Sequence, residues 1–252
     1  MPDNLGWRMK FAVLTPSANT VVQPEYEAMR PPGVTNHVFR MTTDNPPRWK
    51  SDNDLINLIR QIDANIDSAV TQAMTSNPDH LILGVSSESI WDGGIAACEK
   101  LTRRIEDLAG NGIKLTQPAE ALPAALQAHN VRKSVAVLTP YFPVAEQHIA
   151  DYMQEIGFPV KRFQHLESPR PTGIAEIKEE RILAALRELD DDDIGAIVQF
   201  GANLPMMKIA AEAERWLKKP VLAINTATYW HALRKNGIKD KIYGCGRLLA
   251  EF

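Results

Sequence analysis

Ala12-Val13-Leu14-Thr15-Pro16 returns, residue for residue, as Ala136-Val137-Leu138-Thr139-Pro140. Each copy is a short apolar run rich in strand formers, stopped by a proline that has no N–H to give to a ladder. Working outward, Gly84 closes an apolar run 68 residues after Pro16, and Gly201 closes another 61 residues after Pro140. Ala125-Leu126 followed by Asn130-Val131-Arg132 recurs as Ala232-Leu233 followed by Gly237-Ile238-Lys239, at a constant offset of 107. Leu115–Ala119 and Leu222–Ala227 form a looser fourth pair. Landmarks that recur in the same order over half the chain indicate an internal duplication.

Between the landmarks, strands and helices alternate. Strands are expected at Phe11–Thr15, His80–Leu83, Ile113–Leu115, Val135–Thr139, Ala196–Phe200 and Val221–Ile224. Helical spacing of apolar residues runs over Leu55–Met74, Ile95–Leu108, Ala119–Ala128, Ala145–Ile156, Ile174–Leu189, Met207–Leu217 and Ala227–Lys235. Asp52, Asn53 and Asp54 are cap candidates for the first of these, and Pro123 falls near the start of the third. The pattern is that of an α/β protein with two similar lobes, each a parallel sheet with helices on both faces, and a site in the cleft between them. The lobes are expected at residues 1–116 and 117–226, with 227–252 a helix and tail that pack back on the first lobe.

The 252 residues are 44% hydrophobic and 23% charged, ordinary values for a chain that builds a core. A net charge of −3 with dispersed Lys and Arg leaves no footprint for nucleic acid or a membrane surface, and no apolar run is long enough to span a bilayer. Met1–Lys10 lacks the apolar core of a secretory signal, and the two cysteines, Cys98 and Cys245, are too few for a disulfide framework. A soluble, cytoplasmic protein without structural zinc is the expectation. The acidic run Asp190–Asp193 reads as a solvated turn.

Paired α/β lobes open clefts where strands end at their carboxyl termini. Those ends here are Pro16–Thr20, Gly84–Ser89, Gln117–Glu120, Pro140–Phe142, Gly201–Leu204 and Asn225–Thr228, rich in Ser, Thr, Asn and Gly. Hydroxyls and backbone amides aimed into such a crevice suit a small carboxylate.

At these loops the sequence resembles the aspartate/glutamate racemase superfamily, and within it the arylmalonate decarboxylase and maleate cis-trans isomerase branch. The resemblance runs from Phe11 to Leu249. It is carried by Pro16-Ser17-Ala18-Asn19-Thr20, Thr139-Pro140-Tyr141, Asn225-Thr226-Ala227-Thr228-Tyr229-Trp230-His231-Ala232-Leu233 and Gly244-Cys245-Gly246-Arg247-Leu248-Leu249. It implies chemistry without a cofactor or metal on a small carboxylate or dicarboxylate held between the lobes, and it leaves room for a homo-oligomer. Racemases of this kind use one cysteine per half, the isomerase uses the pair with one as nucleophile, and the decarboxylase keeps only the second. A thiol, with a pKa near ~8.5, is readily tuned to exchange a proton near neutrality.

Along the motifs, the two cysteine positions fall on Gly84 and Gly201, so this chain departs from the pattern at both. The paired glycines suggest vacated volume for a larger substrate or a water; a tight strand-to-loop turn explains them equally. Substrate binding is expected at Ser17, Asn19, Gly84, Val85, Ser87, Gly201, Ala202 and Asn203, and chemistry at Ser86, Tyr141 and Glu88, the last as the one acidic group of the central loop and hence the acid/base candidate once the thiols are gone. Asn19, Ser17 and Ser86 serve as well in turn or helix capping. His231 reads as a helix-face residue, Cys98 as a buried structural one and Cys245 as part of a turn. The activity expected is a decarboxylase-type lyase working through an enolate-like intermediate without a catalytic cysteine. Alternatives are an isomerase or hydrolase that uses a water, or a carboxylate-binding protein that has lost catalysis.

Overall fold

The computed structural model describes residues 3–51, 53–87 and 94–252. Strands β1 (Met9–Pro16), β2 (Val34–Met41), β3 (His80–Leu83) and β4 (Leu115–Thr116) form one parallel sheet in the order β2-β1-β3-β4. Strands β5 (Val135–Thr139), β6 (Val160–His165), β7 (Ala196–Gln199) and β8 (Val221–Ala223) form a second parallel sheet in the matching order β6-β5-β7-β8. The repeated pentapeptide is the inner strand of each. Its burial on both faces explains the unbroken apolar run.

Side-chain alternation divides β1 and β3 between two cores. Ala12, Leu14, Leu81 and Leu83 face helices α2 (Asn53–Met74) and α3 (Gly94–Ala109), where Ile62, Ile66, Val70 and Ile105 meet them. Phe11, Val13 and Ile82 face the larger core, which runs on without a break into the second lobe. That core also draws on α5 (Glu146–Glu155), α6 (Glu179–Leu189), α7 (Met207–Leu217) and α8 (Ile224–Lys235). On α2, Leu55, Ile59, Ile62, Ile66 and Val70 are buried at the three- and four-residue spacing that makes one apolar stripe.

Helices cross between the lobes. α8 follows the second sheet in the chain yet packs on the first, with the Tyr229 ring 5.8 Å from that of Phe11 and the Lys235 ammonium donating to the Leu115 carbonyl at 3.0 Å. α4 (Pro118–Ala128), which follows the first sheet, packs against α8 and is fastened to α5. Pro123 lies in the middle of α4 rather than near its start. Lacking an N–H, it leaves the Ala119 carbonyl without its helical donor, and the buried Tyr152 hydroxyl of α5 donates to that oxygen at 2.8 Å.

Several boundaries differ from the sequence reading. β2, β6 and α1 (Val22–Ala28) were not anticipated: the two strands are sheet edges with half-exposed, mixed sequences, and α1 is a seven-residue helix containing Pro24. The helix expected over 174–189 is a short 3-10 turn at Thr172–Ile174 followed by α6, whose first turn carries Glu179 and Glu180 toward the positive end of the helix. β4 starts at Leu115, and α8 starts at Ile224, because the Ile224 amide turns to the Gln199 side chain at 3.3 Å. Asn53 opens α2, and the Asp54 carboxylate reaches back to the amides of Lys50 and Ser51; Asp52 lies outside the described residues. No helix among the described residues is long and apolar enough to cross a membrane.

His80 begins β3, 2% exposed, with its Nε2 2.8 Å from the Thr116 hydroxyl. Burial drives its pKa down to about 3. The unfolded chain therefore binds a proton that the folded one refuses, and stability falls as pH drops from about 6.5 toward about 3. His80→Gln, which keeps a donor for Thr116, is expected to reduce the loss of unfolding free energy between pH 6.5 and pH 5 by about 2 kcal/mol. Denaturant titrations at the two pH values measure this; an unchanged acid slope counts against a buried neutral imidazole.

Candidate active site

The carboxyl ends of β1, β3, β5 and β7 meet at the junction of the lobes. After β1 the chain turns at Pro16, and the Asn19 side-chain oxygen accepts from the amides of Val21 and Val22, both at 2.9 Å, which starts α1. Asn19 is 5% exposed. Its backbone carbonyl accepts from Arg40 at the end of β2, at 2.5 Å, and Arg40 also reaches the Gln23 side chain at 3.0 Å and the Pro16 carbonyl at 3.4 Å. All three partners are neutral oxygens, and partial burial lowers the pKa of the guanidinium. A positive charge thus stands behind the Pro16–Thr20 loop. Ser17 is exposed and turned away to the next loop, accepting from the Thr43 amide at 2.9 Å.

Beyond β3, the Thr15 hydroxyl donates to the Gly84 carbonyl at 3.0 Å. Val85 packs with the α2–α3 core, and Ser86 and Ser87 are buried. The Ser86 hydroxyl oxygen accepts from the Gly201 amide at 3.1 Å, a direct bond between the lobes. Glu88 lies outside the described residues. Tyr141 follows β5, buried, with its amide donating to the Thr139 hydroxyl at 3.3 Å.

Beyond β7, Asn203 ties three loops together. Its side-chain oxygen accepts from the Thr20 amide at 2.9 Å, and its amide nitrogen donates to the carbonyls of Pro171 at 2.9 Å and Ala18 at 3.4 Å. The Ala202 carbonyl accepts from Asn225 at 2.9 Å. Asn225 also donates to Glu25 at 2.7 Å, and Glu25 accepts from the amides of Met206 and Met207 at 2.9 and 2.8 Å. Burial pushes the Glu25 carboxyl above the ordinary range, opposed by its three donors. Asn19, Ser86, Tyr141, Gly201, Ala202 and Asn203 are thus buried, with Ser86 and Asn203 bonded across the lobes to Gly201 and Thr20, and Ser17 is exposed.

Arg40 and Glu25 escaped the sequence reading. Arg40 sits in an unanticipated edge strand, and Glu25 in a short, charged stretch that resembles a solvated helix face. Neither cysteine is activated: burial raises the Cys98 thiol to about 12 and also raises that of Cys245.

Of the two explanations for the paired glycines, vacated volume is not found: neither leaves unfilled side-chain space. A Cβ on Gly84 would lie 2.9 Å from a Val22 methyl and 3.2 Å from the Leu14 carbonyl oxygen. A Cβ on Gly201 would lie 2.4 Å and 2.5 Å from Pro140 ring carbons, and φ there is +99°, a conformation that side chains disfavour. The two glycines are also not equivalent in register. Leu14 and Leu138, matched members of the repeat, accept from Gly84 and Phe200 respectively, so Gly201 stands one residue farther out, in the turn.

The arylmalonate decarboxylase family model matches residues 62–249, about three quarters of the sequence. The chain belongs to the arylmalonate decarboxylase family. Similar curated proteins include the maleate isomerase of Nocardia farcinica, 27% identical over 96% of both chains, and that of Pseudomonas putida, 21% identical over 96% of this chain and 97% of the relative. Among solved structures, the Nocardia maleate cis-trans isomerase superposes with a TM-score of 0.85 at 23% identity, covering 96% of this chain and 98% of its own. An arylmalonate decarboxylase crystal structure superposes with a TM-score of 0.73 at 19% identity, covering 95% and 98%. The paired parallel sheets are thus the fold of both kinds of enzyme. One mutant structure of the Nocardia isomerase holds a covalently bound succinylcysteine intermediate.

Within the family fold, the two glycines of this chain have unequal tolerance for a side chain. Gly201→Ala combines a positive φ with collision against a rigid proline ring and is expected to cost about 3 kcal/mol, against about 1 kcal/mol for Gly84→Ala, where a valine methyl can move. Denaturant midpoints with unchanged m-values measure the difference; equal costs would contradict the turn geometry at residue 201.

Proposed function

We propose that this chain is a cofactor-independent enzyme acting on a small carboxylate or dicarboxylate in the crevice between its lobes, by decarboxylase-type chemistry without a catalytic thiol. The observation that carries this reading is the Ser86–Gly201 bond: a hydroxyl and a backbone amide, both buried, face each other across the lobes where the strands of both sheets end. An anionic oxygen that entered between them would take a hydrogen bond from each. The cation of Arg40, behind the adjoining loop, adds attraction for an acid anion.

Loss of CO₂ from a malonate leaves its electron pair on an enediolate, whose oxygens draw stabilisation from donors already fixed in place. Ser86 and the Gly201 and Ala202 amides are assigned that role, and Tyr141 or Glu88 delivers the proton to the α-carbon. Substrate entry separates Ser86 from Gly201 and Asn203 from Thr20, so binding includes a small opening of the lobes. The conformation at Gly201, with Pro140 where a thiol would project, supports a second reading, a carboxylate-binding protein that has lost turnover.

Incubation of the full chain in D₂O with phenylmalonate, methylmalonate and maleate tests both. CO₂ release with deuterium at the α-carbon, insensitive to iodoacetamide, is expected. Ser86→Ala should reduce kcat/KM by roughly 10²–10³-fold. Formation of fumarate would assign the chain to the isomerases, and saturable binding without any product would assign it to the binding proteins; neither binding nor product would overturn the crevice as a carboxylate site.

A further inference from the structure

α7 begins without a local cap. Met206, at its N-cap position, has no side chain able to accept from the first amides, and those of Met206 and Met207 turn instead to Glu25 of α1, in the other lobe. One Glu25 oxygen takes both amides. The other takes the side-chain amide of Asn225, near the start of α8, and the same Asn225 nitrogen donates to the Ala202 carbonyl. The loop from Gly201 to Met206 is therefore held at both ends through one carboxylate: at Ala202 by way of Asn225, and at Met206 directly. Between these points Asn203 is bound to Thr20 and Pro171.

We infer that Glu25 is a positioning residue of the crevice, one that acts through Asn225 to set the direction of the Gly201 and Ala202 amides against the first lobe. The inference deepens the proposed carboxylate site and rests on it for its consequence, because those amides are the donors assigned to the substrate.

A carboxylate 8% exposed, with no cation among its three hydrogen-bond donors, is a costly way to cap a helix. A serine or aspartate at position 206 would cap α7 locally. What Glu25 adds is reach: its two oxygens join three elements from both lobes. Asn225 cannot be replaced in this role by an acceptor, since it donates in both of its bonds.

Two variants separate positioning from capping. Glu25→Gln keeps an oxygen for the α7 amides but sets a second amide donor against Asn225. Asn225→Ala leaves both α7 amides on Glu25 and removes the bridge from the second Glu25 oxygen to Ala202, and it decides the matter should Glu25→Gln fail to fold. Amide hydrogen exchange and equilibrium binding of malonate and maleate are measured on the full chain. Both variants are expected to exchange roughly tenfold faster at Gly201–Leu204 and to bind the acids roughly tenfold more weakly, with β5 and β7 amides unchanged. Faster exchange confined to Met206 and Met207 in Glu25→Gln, with Asn225→Ala like the wild type, would overturn the inference and leave Glu25 as a helix cap. If the wild type binds neither acid, the carboxylate reading fails on that arm alone, and exchange at Gly201–Leu204 still decides whether Glu25 holds the loop.

Discussion

Hydrogen bonds that run from the loops of one lobe to the loops of the other are the constraint on which this site depends. Asn203 accepts from Thr20 and donates to Ala18, Ser86 accepts from Gly201, and Glu25 accepts from Met206 and Met207. Each joins groups that would otherwise be buried without partners, so the lobes meet in one relative position or leave several polar atoms unsatisfied. The apolar contribution is non-directional: the main core passes through the junction without a break and favours contact, while the polar bonds select which contact.

The helix exchange reinforces that choice. α8 rests on the first sheet through Tyr229 and Lys235, and α4 takes a hydroxyl from Tyr152 at the carbonyl that Pro123 leaves open. A proline in mid-helix normally weakens it; here the vacancy in the ladder becomes an attachment point for the other lobe. Movement of one lobe relative to the other would disturb both helices.

The two glycines bear on chemistry in different ways. At Gly84 the strand continues its ladder, and a side chain is disfavoured by the Val22 methyl and the Leu14 carbonyl. At Gly201 the backbone itself has turned to φ +99°, against Pro140 of the repeated pentapeptide. The junction of this chain brings together a hydroxyl and backbone amides, while its two thiols are buried and their pKa values raised.

Fold class and duplication were legible in the sequence because a strand buried on both faces must be continuously apolar, and a strand stopped by proline marks its own end. Ala12–Pro16 and Ala136–Pro140 meet both conditions, and the two sheets have the same strand order around them. The polar loops at strand ends were legible for the same reason, since parallel sheets collect them on one edge. β2 and β6 were not, because edge strands carry mixed residues. The roles of Glu25 and Arg40 were decided by tertiary structure alone: a glutamate between Pro24 and Tyr26 looks solvated until the second lobe covers it, and an arginine in an edge strand acquires its loop only once the sheet has formed. Local periodicity records what a residue's own element requires, whereas burial of a charge and the choice of its partners are imposed by segments nearly two hundred residues away, which local pattern does not encode.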